Sequence, residues 1–372
     1  MLIIRSFLKN NQNNKILYCI YLLMRGGERK MKKSKLFKKL GNSQVVCQAC
    51  HRYCQIAAGQ RGACSVRENK DGQLYSLVYG WAVGPSIDPV EKKPLFHFLP
   101  GTKALSFGTL GCNFSCQFCQ NWSQSQGVKQ EKEPLHLIEQ QSRKLSPKQL
   151  VNLALKKNCA SIAYTYNEPA VFVDYAYETM RLARQKGLKN IFVTNGYQSP
   201  ESFELTKDYL DAVNVDLKSF GDDFYQKICG GAKLAPVLEN IKKYHQAGIW
   251  TEVTTLVISG ENDSAKELTQ MAKFIKKVSP DIPWHLSAFH PDYQMMDKGP
   301  TSWGKLVEAY EIGQGVGLNY VYLGNIVSPK HASTYCPKCG QELVKRDGYY
   351  LLESNLKDGE CLGCGQDISG VW

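Results

Sequence analysis

Between residues 101 and 326 the chain alternates short apolar runs with stretches whose apolar residues recur at helical spacing. The runs 104–107, 161–166, 190–194, 212–217, 251–258, 284–289 and 320–323 read as strands. They are apolar on both faces, as parallel strands covered by helices must be. The stretches between them carry helix-end signals. Ser146-Pro147-Lys148-Gln149 offers an N-cap serine, a proline in the first turn and a glutamine to close a capping box. Leu150, Leu153 and Ala154 then form the buried stripe. The helix over 170–186 stops at Gly187, and Ser199-Pro200 starts another. A helix carrying Leu238, Ile241 and Tyr244 ends near Gly248, and Ser264-x-x-Glu267 predicts a further capping box. Repeated strand–helix units of this length imply a parallel (β/α) barrel or a doubly wound sheet.

Barrel enzymes keep their chemistry at the C-terminal ends of the strands. Polar residues fall there in series. A cysteine loop follows the first strand, Tyr166-Asn167-Glu168-Pro169 the second, Thr194-Asn195-Gly196 the third and Asp216-Leu217-Lys218 the fourth. Ser259-Gly260-Glu261-Asn262-Asp263 follows the fifth and Ser287-Ala288-Phe289-His290-Pro291 the sixth. One such segment is ordinarily a turn; six in register on one rim point to a site.

Charge changes this picture little. The net charge is +12, but residues 1–46 hold eleven Lys or Arg against Glu28 alone, a balance of +10, so the other 326 residues carry only +2. A near-neutral body offers no basic face for nucleic acid. The longest apolar run of the extension, 16–24, is too short to span a bilayer. Arg25-Gly26-Gly27-Glu28 upstream of Met31 is what a purine-rich ribosome-binding sequence gives when translated, so Met31 is the expected native start. The organisation expected is a basic, disordered or mis-annotated extension over 1–40, an N-terminal four-cysteine region over 41–95, a barrel over 96–328 and a C-terminal module over 329–372.

Cysteine supplies the candidate chemistry. Eleven of fourteen cysteines fall in tight groups, which in a chain of this size favours metal ligation in a reducing cytosol over disulfides. Cys19, Cys159 and Cys229 stand alone and receive no role. Cys112, Cys116 and Cys119, in Gly111-Cys112-Asn113-Phe114-Ser115-Cys116-Gln117-Phe118-Cys119, have no fourth partner close by. Structural zinc takes four protein ligands. Three thiolates on a four-iron cluster leave one iron open. A zinc site or redox pair finished by a distant residue is the alternative.

This loop, with Phe118 directly before the third cysteine, resembles that of the radical S-adenosylmethionine (SAM) superfamily. The resemblance implies a partial (β/α)6 barrel and a [4Fe-4S] cluster whose open iron chelates SAM. It implies reductive cleavage of SAM to a 5′-deoxyadenosyl radical that abstracts hydrogen from a substrate. It also implies roles on the rim: Asn167 and Glu168 near the SAM amino group, Phe118 beside adenine, and Asn195, Asp216 and Lys218 for ribose and carboxylate. Lys218 is equally suited to an ion pair with Asp216. His290 is a candidate contact to SAM or substrate, or a structural histidine.

Two further groups flank the barrel. Cys47, Cys50, Cys54 and Cys64 lie in one glycine-punctuated segment and can close a metal site unaided, with zinc or a second cluster both open. The tail carries Cys336-Pro337-Lys338-Cys339 and Cys361-Leu362-Gly363-Cys364, two knuckles that read as a zinc ribbon, with an auxiliary cluster as runner-up. Residues 348–352 read as a strand between them, and 368–372 are apolar enough to pack on the body.

From Cys47 to Trp372 the pattern resembles the radical SAM enzyme of the AmmeMemoRadiSam system, a family near the pyruvate formate-lyase activating enzymes. The resemblance rests on the four N-terminal cysteines, the loop through Gln120-Asn121, Tyr164-Thr165-Tyr166-Asn167-Glu168-Pro169, Val215-Asp216-Leu217-Lys218, Ala288-Phe289-His290-Pro291 and the two-knuckle tail. It implies association with Memo-like and AMMECR-type proteins, an electron donor such as flavodoxin or ferredoxin, and a cytoplasmic oxidoreductase. It names no substrate. Three readings follow: hydrogen abstraction from a protein, as in an activating enzyme; modification of a small molecule or RNA; and a non-catalytic Fe–S or zinc-ribbon binding protein.

Overall fold

The computed structural model describes residues 31–372. The apolar run 16–24, Cys19 and the Arg-Gly-Gly-Glu stretch lie outside the described residues. Seven parallel strands form the centre: β1 (Lys103–Gly108), β2 (Ser161–Tyr164), β3 (Lys189–Thr194), β4 (Ala212–Asp216), β5 (Trp250–Val257), β6 (Trp284–Ala288) and β7 (Val321–Gly324). They lie side by side in chain order. Antiparallel Trp81–Pro89 and Arg143–Lys144 extend the sheet beyond β1 to nine strands. Helices α1 (Pro147–Lys156), α2 (Val173–Gln185), α3 (Pro200–Thr206), α4 (Leu234–Gln246), α5 (Ala265–Val278) and α6 (Trp303–Val316) connect the strands in turn. This is the expected α/β fold, a partial (β/α)6 barrel with a seventh strand.

The amphipathic stripes do the packing. Leu150, Val151 and Ala154 of α1 and Val237, Ile241 and Tyr244 of α4 are buried against the sheet, while Leu153 and Leu238 sit at the margin. Each fully buried side chain of this size contributes about 1.5–3 kcal/mol. The Ser146/Gln149 capping box has both halves in place. The box predicted at Ser264 has only one: Ser264 accepts from the Glu267 amide, but the Glu267 carboxylate accepts instead from the Phe220 amide (2.8 Å) and the Ser219 hydroxyl. That choice ties α5 to the loop after β4. Strand β2 ends at Tyr164 rather than 166 because Tyr166 adopts φ 70°, which no strand tolerates.

Residues 31–40 correct an expectation, since they belong to the fold. Lys32–Lys33 pairs with Gln73–Ser76, and Phe37–Lys39 with Val45–Cys47. Leu36 and Phe37 pack on Val45 and Ile56, and Lys35 donates its amide to Asp174 (2.9 Å). The lysines disguised these strands; Lys32, for example, packs along Tyr79 while pairing with Glu178.

The C-terminal module docks where the barrel strands begin. Arg346, fully buried, donates to the carbonyls of Phe96 (2.6 Å) and Ala332 (3.3 Å) and to Thr334 (2.8 Å). Val371 pairs with His97 and Leu99, so the end of the tail packs on the body as its composition predicts. The predicted strand in the module is present over Tyr350–Ser354.

Candidate active site

One cavity of about 310 Å³ opens at the C-terminal ends of the strands. The sulfurs of Cys112, Cys116 and Cys119 belong to residues that line it, together with Phe118, Asn167, Glu168, Asn195, Asp216 and Lys218. Residues placed on four different strand ends by periodicity alone therefore meet in space. His290 does not line the cavity; it is exposed, with Nε2 2.8 Å from Nε2 of Gln120, itself a lining residue.

The cysteine loop is held by close backbone contact. A Cβ on Gly108 would stand 2.4 Å from the Thr165 carbonyl and 2.9 Å from Oδ1 of Asn167, so only glycine fits where β1 runs into the loop. Asn167 uses its whole amide on the loop. Its Nδ2 donates to the Gly111 carbonyl (2.6 Å) and Thr109 Oγ1 (3.0 Å), and its Oδ1 accepts from the Thr109 amide (3.1 Å). It positions the cysteines, where the sequence suggested a contact to a ligand amino group.

Glu168 is likewise occupied. Its carboxylate accepts from the amides of Ala170 (3.1 Å) and Asn195 (2.8 Å) and from the Thr194 hydroxyl (2.8 Å). Burial pushes its pKa up to about 7, against the pull of those donors. Asn195 donates to Oδ1 of Asn113 (2.8 Å) and accepts from the Tyr197 amide (3.1 Å). The predicted Lys218–Asp216 ion pair forms at 2.8 Å. Lys218 also lies over the Phe118 ring, 5.6 Å from its centroid. Burial opposes its charge, but Asp216 and the neighbouring cysteines hold its pKa well above the ordinary lysine range.

The donor set suits a soft metal centre. Burial pushes the Cys112 thiol up to about 12 and raises that of Cys119. Three sulfurs facing one cavity, those of Cys112 and Cys116 buried and that of Cys119 half-buried, become favourable anions only when bonded to metal. The Phe114 and Asn121 amides hydrogen-bond to Cys112 and Cys119, and Ser125 Oγ lies 3.2 Å from the Cys119 sulfur.

Several lining residues escaped the sequence reading. Thr254 Oγ1 is buried without a hydrogen-bond partner among the described residues. Alternation along β5 would have placed it inward. Asn325 and Tyr349 reach the cavity from the loop after β7 and from the C-terminal module. Cys229, assigned no role, is fully buried with its thiol in hydrogen-bonding reach of Cys116. Its isolation in the sequence hid it.

The comparisons bear on this site. The family described as the Radical SAM superfamily matches residues 107–275, from the end of β1 into α5. An uncharacterised protein of Methanocaldococcus jannaschii is 38% identical over 344 residues, 92% of this chain and 100% of that protein. The chain belongs to the radical SAM superfamily. Other superfamily relatives include GTP 3′,8-cyclase of Listeria welshimeri, 24% identical over 54% of this chain and 64% of that protein. A second Methanocaldococcus jannaschii protein, named as a candidate glycyl-radical enzyme activating enzyme, is 24% identical over 55% of this chain and 74% of its own length. Cys112, Cys116 and Cys119 share one cavity within the matched range and could hold a [4Fe-4S] cluster.

The tail carries a second, separate group of sulfurs that could hold a metal ion. The sulfurs of Cys336, Cys339, Cys361 and Cys364 all lie within 4.8 Å of one another. Cys336–Cys364 and Cys339–Cys361 are each 3.7 Å apart. Zinc–sulfur bonds of ~2.3 Å in a tetrahedron set sulfurs ~3.8 Å apart. Among the described residues no helix is long and apolar enough to cross a membrane.

Proposed function

We propose that this chain is a radical SAM enzyme that takes a hydrogen atom from a protein or peptide, in the manner of an activating enzyme. The observation that carries this reading is the shape of the cavity. At about 310 Å³ it is at the small end of ligand pockets. A cluster and SAM must share that space, so a substrate enters by a protruding group rather than whole. Val327, close in sequence to the lining residue Asn325, is exposed. An apolar side chain open to solvent there suits a macromolecular partner.

When bound at Cys112, Cys116 and Cys119, a [4Fe-4S] cluster would supply the electron for reductive cleavage of SAM and so the means of hydrogen abstraction. The chain's own groups position and shield. Asn167 and Gly108 fix the cysteine loop. Lys218, paired with Asp216, presents a cation suited to the SAM carboxylate. Thr254 offers a free hydroxyl, and Phe118 an aromatic wall for adenine. The tail would hold zinc, consistent with its sulfur spacing. Flavodoxin or ferredoxin is the expected electron source, and a Memo-like or AMMECR-type protein the first candidate partner. A cytoplasmic location is the expectation that goes with this reading.

The test is anaerobic reconstitution with iron and sulfide, then SAM and dithionite. Formation of 5′-deoxyadenosine is expected, with deuterium passing into it from a uniformly deuterated protein partner. No 5′-deoxyadenosine from a fully loaded enzyme would sink the enzymatic reading. Deuterium arriving only from a small molecule or RNA would replace the protein substrate.

A further inference from the structure

Cys47, Cys50, Cys54 and Cys64 surround a second, smaller cavity. Cys47, Cys50 and Cys64 are buried, and Cys54 is half-buried at its edge. The Ala63 amide donates to the Cys54 sulfur at 3.4 Å. Amide donors to sulfur stabilise thiolates, and the same arrangement serves Cys112 and Cys119.

The spacing separates this group from the tail. Among the described residues, the sulfurs drawn within 4.8 Å of one another are those of the tail. The N-terminal four instead line a cavity between them, as do the three cysteines of the radical SAM loop. A single zinc ion draws its sulfurs to ~3.8 Å; a cluster, being several atoms across, holds them apart.

The surroundings also lead to the radical SAM loop. Asn113 lines this second cavity, while its Oδ1 accepts from Asn195 (2.8 Å) and lies 3.6 Å from the Cys112 sulfur. Its Nδ2 is buried and finds no hydrogen-bond partner among the described residues. Arg52, next to Cys50, donates through Nε to the Asn113 carbonyl (3.0 Å). The Lys129 ammonium acts electrostatically on both Cys64 and Cys112. Fully buried Arg67, paired with Asp174 at 2.9 Å, supplies positive charge beside Cys47 and Cys64.

We propose that Cys47, Cys50, Cys54 and Cys64 hold a second iron–sulfur cluster, one residue layer from the SAM-binding cluster, rather than zinc. Cys54 gives it an edge toward solvent. One electron enters there from a carrier of the flavodoxin or ferredoxin class and leaves to the first cluster; no bond is made or broken. The occupancy of this site does not depend on the substrate proposed above.

The test reads metal and sulfide, not turnover. The full chain is reconstituted anaerobically beside its Cys112→Ala/Cys116→Ala/Cys119→Ala variant. The variant is expected to keep iron and acid-labile sulfide, about half the wild-type amount if both clusters are cubanes. Adding Cys50→Ala and Cys64→Ala should remove that remainder, whereas adding Cys361→Ala and Cys364→Ala should leave it. Two zinc ions and no labile sulfide in the triple variant, or sulfide that follows the tail cysteines, would overturn the proposal. The wild-type chain gives an answer free of folding defects. Labile sulfide above the four of a single cubane is expected, and four or fewer argues against a second cluster. In the dithionite-reduced wild type, the electron paramagnetic resonance signals should be broadened by mutual coupling. A plain sum of two independent signals would refute the close placement.

Discussion

A Cβ on Gly111 would stand 2.5 Å from the carbonyl oxygen of Cys64. The radical SAM loop and the N-terminal cysteine segment thus meet backbone to backbone. Gly111 also has φ 84°, a left-handed conformation. Gly111→Ala should therefore cost about 1–2 kcal/mol from the backbone alone, with the clash added. The expected result is a lower melting midpoint and reduced iron loading, with the metal of the tail retained. Unchanged iron loading would show that the contact positions neither cysteine set.

Asn167→Ala separates positioning from ligand contact. It leaves the Thr109 amide and the Gly111 carbonyl without their partner. Each buried group so stranded costs about 1–3 kcal/mol. Cluster retention should fall, measured as iron per chain after desalting, while SAM affinity per loaded cluster holds. Weaker SAM binding at full iron content would return Asn167 to the ligand.

Cys229→Ala addresses the thiol beside Cys116. Once Cys116 is a ligand, an S–H donor from Cys229 stabilises the more negative, reduced cluster. Its removal should shift the midpoint potential to more negative values with iron content unchanged. Loss of iron instead would make Cys229 a ligand and fill the coordination position SAM needs.

His97 gives the fold a pH dependence. Burial lowers its pKa from 6.5 to about 4. Its ring bridges the Ser369 carbonyl (2.8 Å) and the Tyr322 hydroxyl (2.6 Å). Between those two values the unfolded chain binds a proton that the folded chain refuses, so stability is full above pH 6.5 and falls as pH drops toward 4. The loss from this group is about 3 kcal/mol. Urea midpoints at pH 7 and pH 5 should show it, and His97→Asn should flatten the slope by about one proton. An identical slope in that variant would place the titration elsewhere.

The barrel was legible because its cause is local. Each strand is an apolar run and each helix a stripe with caps, and the rim residues follow from where strands stop. Cys112, Cys116 and Cys119 were legible from spacing. What the sequence hid was where side chains turn. Asn167 and Glu168 lie on the rim as expected, yet spend their hydrogen bonds on protein. Glu267 prefers the Phe220 amide to its own cap. His290 sits outside the cavity, while Cys229, more than a hundred residues from Cys116, folds against it. Tyr349 reaches the cavity through tertiary packing, which no window of sequence contains, whereas Thr254 was readable from the alternation along β5. The lysine-rich start of the N-terminal module read as an extension because its strands are two and three residues long.

The bond from His97 to the Ser369 carbonyl spans 272 residues, and that from Arg346 to the Phe96 carbonyl spans 250. Contacts this remote in sequence form late and slow folding. The segment 96–99 therefore leaves the ribosome long before its partner strand exists. During synthesis the lower mouth of the barrel stays unsealed, with Phe96, Tyr320 and Tyr322 uncovered until the tail arrives. Production of this chain should thus be sensitive to anything that delays or encumbers the segment from Arg346 to Val371.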